Sequence, residues 1–329
     1  VKRLLLPLAI LGLIAIAGAG GAYLWFQQSL ERVGPLTSAA RVIVARGSGL
    51  SRVAQQLEKA GVVQQARLFQ AMVMLEGKDK ALQAGEYRFP PGETMQHVLD
   101  RLVRGDTVTH QLVFPEGMTT FEILAKLTET PDLTGDAPDG LAEGSLMPAA
   151  YDFSYGENRA AIVTRMQKAM ADAVAEAWAA KAKGVPVKTP EEMVILASIV
   201  EKETGLDGER AKVAGVFVNR LKKGMKLQSD PTTIYAITRG KGSLGRGLRR
   251  SELANKDPYN TYYTPRLPPG PIANPGREAL MAVAQPEATK ALYFVADGTG
   301  GHAFAETLAQ HNRNVARWRQ IEKQKKAGK

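Results

Sequence analysis

From Leu4 to Phe26 the chain runs 23 residues without a charge. That constrains everything after it, because about 20 apolar residues in a helix cross the hydrocarbon core of a bilayer. Lys2 and Arg3 precede the run, and Tyr23, Trp25 and Phe26 close it. Cations on one flank and amphipathic rings on the other are the pattern of a spanning segment. The positive flank places the short N-terminus in the cytoplasm and the long remainder outside it. A cleaved signal peptide is the rival reading, with Ala17-Gly18-Ala19 as a small-residue cleavage site. The length of the run, and the aromatic residues beyond that site, favour an uncleaved anchor. The expectation is a single pass through the inner (plasma) membrane, with the bulk of the chain on the periplasmic, extracytoplasmic side.

The whole chain has 329 residues, room for two modest domains. Its 43 Lys and Arg against 33 Asp and Glu give a net charge of +10. Cysteine is absent, which excludes disulfides, thiolate metal sites and a cysteine nucleophile. The expected fold class is α+β, with an N-terminal transmembrane helix, a small α/β module and a mixed, largely helical larger domain. The expected divisions are cytoplasmic tip and anchor over 1–26, a tether over 27–40, the module and a following helix over 41–106, and the larger domain over 107–329.

Within the module, Arg41–Val44 reads as a strand. Ser48 or Ser51 is placed to cap a helix through Lys59, and Leu68, Phe69, Met72 and Leu75 share a face of a second helix. Gly85–Phe89 alternates like a strand. This strand, helix, helix, strand order resembles a LysM-like module, a fold associated with glycans containing N-acetylglucosamine; a plain spacer fits as well. Beyond it, helices are predicted over 94–104, 119–129 and 158–182, a strand near Val108–Phe114, and loop over 131–157, which is rich in Pro, Gly and Asp.

The most informative helix begins at Thr189-Pro190-Glu191-Glu192, an N-cap with proline at the first helical position and a capping-box glutamate. The next eight residues, Met193 to Val200, are apolar nearly all round, so the helix is buried. It ends in Glu201-Lys202-Glu203-Thr204-Gly205. At 100° per residue, the mean apolar direction lies about 50° from Glu203 and about 110° from Glu201. Glu203 therefore points nearer the core or a cleft, and Glu201 is lateral. A carboxyl against apolar walls, at the negative end of a helix dipole, favours its protonated form. The bland alternative is an ion pair of Glu203 with Arg210 or Arg220.

The string Ala197-Ser198-Ile199-Val200-Glu201-Lys202-Glu203-Thr204 resembles the endolytic murein transglycosylases (YceG-like proteins), as does Val213 to Leu221. So do Leu227-Gln228-Ser229-Asp230-Pro231-Thr232, Tyr259-Asn260-Thr261-Tyr262, Leu267 to Ile272 with Asn274-Pro275-Gly276, and Tyr293 to Ala296 with Gly300 to Phe304. Met147 stands where the family segment carries an aromatic residue. The resemblance implies that Glu203 is the catalytic acid. It also implies cleavage of the β-1,4 bond from N-acetylmuramic acid to N-acetylglucosamine in peptidoglycan glycan strands, leaving 1,6-anhydro ends, with one glutamate as acid and then base. Peptidoglycan synthases are implied as partners.

Gln228, Asn260 and Tyr262 are types that grip sugar hydroxyls and acetamido groups, or else hold turns. Asp230, before a proline, reads first as a helix cap and second as a substrate-binding group. His302 packs in a Gly-rich turn or bonds substrate. The histidines at 97, 110, 302 and 311 have no metal-ligand spacing, and no metal or cofactor is expected. Basic clusters lie at 239–250 and from Arg313 to Lys329. An outside location removes nucleic acid as their partner and leaves peptidoglycan carboxylates or anionic lipid. The alternatives are a non-catalytic peptidoglycan-binding scaffold of the wall-synthesis machinery and a hydrolytic muramidase.

Overall fold

The computed structural model describes residues 2–327, with side chains from residue 13 onward except those of residues 15, 22, 207, 326 and 327. In chain order the elements are α1 (Lys2–Glu31), β1 (Ala40–Val44), α2 (Leu50–Lys59), α3 (Ala66–Leu75), β2 (Gly85–Phe89), α4 (Met95–Arg104) and β3 (Thr109–Val113). There follow α5 (Thr120–Glu129), β4 (Leu133–Thr134), β5 (Ala150–Ser154), β6 (Glu157–Asn158), α6 (Arg159–Ala179), α7 (Pro190–Glu203), α8 (Arg210–Lys222) and α9 (Asp230–Thr238). The last are α10 (Arg250–Leu253), α11 (Arg277–Ala284), β7 (Tyr293–Ala296), β8 (His302–Ala305) and α12 (Leu308–Ala327). Mixed helix and strand, with helix predominant, is the α+β class. The expected loop over 131–157 carries three short strands, because Tyr151 and Phe153 alternate with exposed neighbours and bury one face.

The chain forms two compact units, one running to His110 with Asp152–Glu157 added, the other made of Gln111–Tyr151 and the chain from Asn158 onward. In the first, β1 and β2 pair antiparallel with Val42 opposite Tyr87. Val53, Leu57, Phe69, Met72, Tyr87, Phe89 and Leu99 fill one core. The strand, helix, helix, strand order is observed. Two local expectations are corrected. Gly49 occupies the N-cap of α2 without a side-chain bond, so neither Ser48 nor Ser51 caps it. Strand β2 does not alternate strictly, because Glu86 is also buried and meets His110 at 2.8 Å and Arg41 at 3.5 Å.

Helix α1 is 30 residues long. Among the described residues no helix is long and apolar enough to cross a membrane. The expected anchor falls partly on residues 4–12, whose side chains lie outside the described set. Lys329, at the end of the expected basic tail, also lies outside it.

In the second unit α7 is the central post. Every residue from Met193 to Glu201 is buried, and Leu196, Ile199 and Val200 share a core with Phe217 of α8, Leu280 and Val283 of α11 and Ala173 of α6. Thr189 Oγ1 accepts from the Glu192 N–H at 3.2 Å, and Pro190 opens the helix, as its sequence dictates. Only half the capping box forms, since the Glu192 carboxylate accepts from Lys188 N instead. Gly215 lets α8 approach the 287–289 segment, where a Cβ would stand 2.6 Å from the Glu287 carbonyl oxygen. Met147, the departure noted above, packs into this core.

Candidate active site

Two glutamates end α7, and the packing around the helix separates them. Glu201 is buried; its Oε1 lies 3.2 Å from Arg210 Nη2 and its Oε2 accepts from Gly276 N at 2.8 Å. Arg210 also holds Glu116 and Glu278, each at 2.8 Å. Gly276 leaves room for this cluster, because a Cβ there would fall 1.8 Å from Glu116 Oε1 and displace that carboxylate. The lateral placement expected for Glu201 is thus corrected. The apolar direction of α7 alone misses that neighbours surround the helix on every side and bring a cation with them.

Glu203 is left out of that cluster. Arg210 is committed to the other carboxylates, and Arg220 donates to the Leu292 and Leu227 carbonyls, each at 2.6 Å. Glu203 instead lines a cavity of about 480 Å³. Its carboxyl is pushed up to about 7, first by burial, which penalises the charged form, and also by the negative charge of Asp230. The Ser229 hydroxyl, His302 and Arg220 pull in the opposite direction without prevailing.

Gln228, Asp230, Tyr262 and His302 line the same cavity. Gln228 holds φ at 53°, a left-handed conformation that a side chain rarely adopts. Its N–H donates to the Thr261 carbonyl, so strain is spent at the cavity wall. Asp230 is not the cap of α9. Ser229 occupies that position without a side-chain cap bond, and Asp230 Oδ1 accepts from the Tyr262 hydroxyl at 2.6 Å. Burial and that bond hold the Tyr262 phenol well above its ordinary pKa.

Asn260 is the expected site residue that the cavity does not include. It is fully buried; Nδ2 donates to the Asn255 and Leu253 carbonyls and Oδ1 accepts from Thr233 Oγ1. A side chain so committed pins its loop and has nothing to offer a sugar. Sequence reasoning missed Tyr293 and His311 as lining residues, and missed the pull of the Ser229 hydroxyl on Glu203. The sequence offers Arg220 only as an ion-pair partner. Its cost is the missing signal: a buried guanidinium held by carbonyls needs a reason. Among the described residues no group of three or more His, Asp or Glu could hold a metal ion. In the 239–250 cluster, Arg239 pairs with Asp257 and Arg246 with Glu252, so two of its cations are structural.

A helix-rich unit that leaves one desolvated carboxyl at the wall of a polar cavity has the form of an acid–base catalyst. The model of the YceG-like family matches residues 42–317, and the chain belongs to that family. An endolytic murein transglycosylase of Bacillus subtilis (strain 168) is 29% identical over 326 residues, covering 89% of this chain and 89% of its own. One of Streptococcus pneumoniae serotype 2 is 29% identical over 362 residues, covering 94% of this chain and 64% of its own. The crystal structure of a YceG-like protein of Listeria monocytogenes superposes with a TM-score of 0.53 at 29% identity, over 84% of this chain and 99% of that one.

Proposed function

We propose that this protein is a membrane-anchored endolytic lytic transglycosylase of peptidoglycan, with Glu203 as its single acid–base group. The observation that carries the reading is a carboxyl pushed up to about 7 at the wall of a cavity, with no cation paired to it among the described residues. The names of the relatives from B. subtilis and S. pneumoniae support the same substrate and reaction.

Protonated Glu203 gives its proton to the oxygen that bridges N-acetylmuramic acid to N-acetylglucosamine as that bond breaks. The carboxylate left behind takes the proton of the muramic acid C6 hydroxyl, whose oxygen closes onto the anomeric carbon. The products are a 1,6-anhydro end and a free N-acetylglucosamine hydroxyl. No water is consumed, and Glu203 returns to its starting state. Its acid and base roles follow one another because its protonation reverses between them. The nucleophile belongs to the sugar, which supplies proximity without a second protein group. Gln228, Tyr262 and His302 are the polar groups placed to orient the saccharide.

A hydrolytic muramidase is the second reading, and Asp230 favours it, since a hydrolase uses two carboxylates and Asp230 shares the cavity. Against it, the Tyr262 hydroxyl already engages Asp230 Oδ1. Mass spectrometry of peptidoglycan digested by the full chain separates the readings. Anhydro ends from the wild type and none from Glu203→Gln are expected. Reducing ends would establish the muramidase, and no cleavage by a folded wild type would leave the scaffold.

Helix α1 is the anchor of this enzyme. Leu13, Ile14, Ile16 and Leu24 are exposed apolar side chains on α1, within the uncharged run that starts at Leu4. Exposed apolar surface of that kind calls for a non-aqueous neighbour. Protease treatment of intact spheroplasts should remove the chain beyond α1; full protection would contradict the topology. Glycan binding by the first unit and association with synthases belong to the same proposal.

A further inference from the structure

Glu209 ends a single 3₁₀ turn (Asp207–Glu209) just before α8. It does not line the cavity, yet both its oxygens serve one residue that does. Oε2 lies 2.6 Å from His302 Nδ1, and Oε1 accepts from the His302 backbone N–H at 2.9 Å. The two side chains are only 16% and 20% exposed. Glycine at the preceding position leaves room for this approach, since a Cβ on Gly301 would fall 2.8 Å from Glu209 Oε1. Phe294 meets the imidazole edge-on with ring centroids 5.2 Å apart, which limits its rotation.

An ionised carboxylate only accepts, so the hydrogen of the neutral ring sits on Nδ1. The nitrogen left for a ligand is Nε2, carrying a lone pair. We propose that Glu209 is a positioning residue that locks His302 in its Nδ1–H tautomer, so that Nε2 accepts a hydrogen bond from a hydroxyl or acetamido N–H of the bound saccharide. This rests on the glycan-cleaving reading of the cavity for the nature of the ligand. The lock itself does not depend on it. The arrangement selects a donor on the sugar, and a substrate presenting only an acceptor at that point leaves Nε2 unmatched.

Four histidines make the lock measurable. The full chain is labelled with ¹⁵N-histidine and His302 is assigned by His302→Gln. Long-range ¹H–¹⁵N correlation at a pH where the ring is neutral should give a protonated Nδ1 and a bare Nε2. An Nε2–H tautomer would overturn the proposal, with no variant needed. In kinetics on purified glycan strands, Glu209→Gln should lower kcat/KM about tenfold, mainly through KM. The same substitution in a His302→Ala background should cause no further loss. An equal loss in both backgrounds would show that Glu209 acts only by holding the hairpin backbone, and would also overturn it. If the wild type fails to cleave peptidoglycan, the functional reading fails alone, and the tautomer still decides the lock.

Discussion

Glu201 and Glu203 stand two residues apart at the end of α7, one inside a closed ionic cluster and the other at a cavity wall. Around Glu201 every requirement of a buried charge is met. Arg210 supplies the countercharge and Gly276 the second hydrogen bond. Around Glu203 the carboxyl is desolvated and no cation pairs with it among the described residues. A charge that is fully paired ties elements together and does little else. A carboxyl that is desolvated at a cavity wall without a counterion keeps its proton near neutral pH and can give it away. A countercharge within pairing reach separates the structural glutamate from the reactive one: Glu201 has Arg210, and Glu203, partly open to its cavity, has none among the described residues.

Four experiments bear on that contrast. The largest effect is expected from Glu203→Gln, which should lower cleavage of peptidoglycan by about 10²–10⁴-fold with the melting transition intact. Glu201→Gln, assayed beside it on folded protein, should keep its rate; reversal of the two would exchange their roles. Next, Arg210→Met should cost about 3–5 kcal/mol of stability in urea unfolding, because it strands the buried Glu201. Retained stability would show that the cluster is dispensable.

Third, Glu203 carries a stability signature of opposite sign. Its folded pKa of about 7 lies above the ordinary carboxyl value, so the folded state holds a proton that the unfolded chain releases. Stability is therefore lost as pH rises between the two values. Glu203→Gln should be the more stable protein at pH 8, by about 3 kcal/mol, and should match the wild type near pH 4. Equal stabilities at pH 8 would mean that the carboxyl is not desolvated. The smallest effect concerns Asp230. Its charge opposes ionisation of Glu203, so Asp230→Asn should move the alkaline fall of cleavage to lower pH, read from a pH–rate profile. Loss of a hundredfold or more in rate would instead mark Asp230 as the second carboxylate of a hydrolase.

How much of this the chain discloses before folding depends on the range of the interaction. The start of α7 is local: Thr189, Pro190 and Glu192 dictate it within one turn. So are the βααβ order of the first unit and the burial of α7, which periodicity alone reveals. Glu203 was legible because its helix places it at a break between apolar residues and glycine. Gln228, Asp230, Tyr262 and His302 were legible as types that bind sugars. The ionic cluster around Glu201 was not legible, since Arg210, Glu116 and Gly276 come from three separate segments. Asn260 misled for the same reason. Its type suits a sugar, and only the fold shows four of its hydrogen-bonding positions spent on Thr233, Leu253, Asn255 and the Tyr262 N–H. Asp230 looked like a cap because Pro231 follows it, and the fold gives that position to Ser229.

Titration of Glu203 itself reads out whether it is a poised acid. The full chain labelled with ¹³C at the glutamate carboxyls would be followed by NMR from pH 4 to 9, with Glu203→Gln identifying the resonance. A midpoint near 7, coinciding with the fall of cleavage activity, is the expected result. A midpoint in the ordinary carboxylate range, or a fall in activity that ignores the titration, would contradict it.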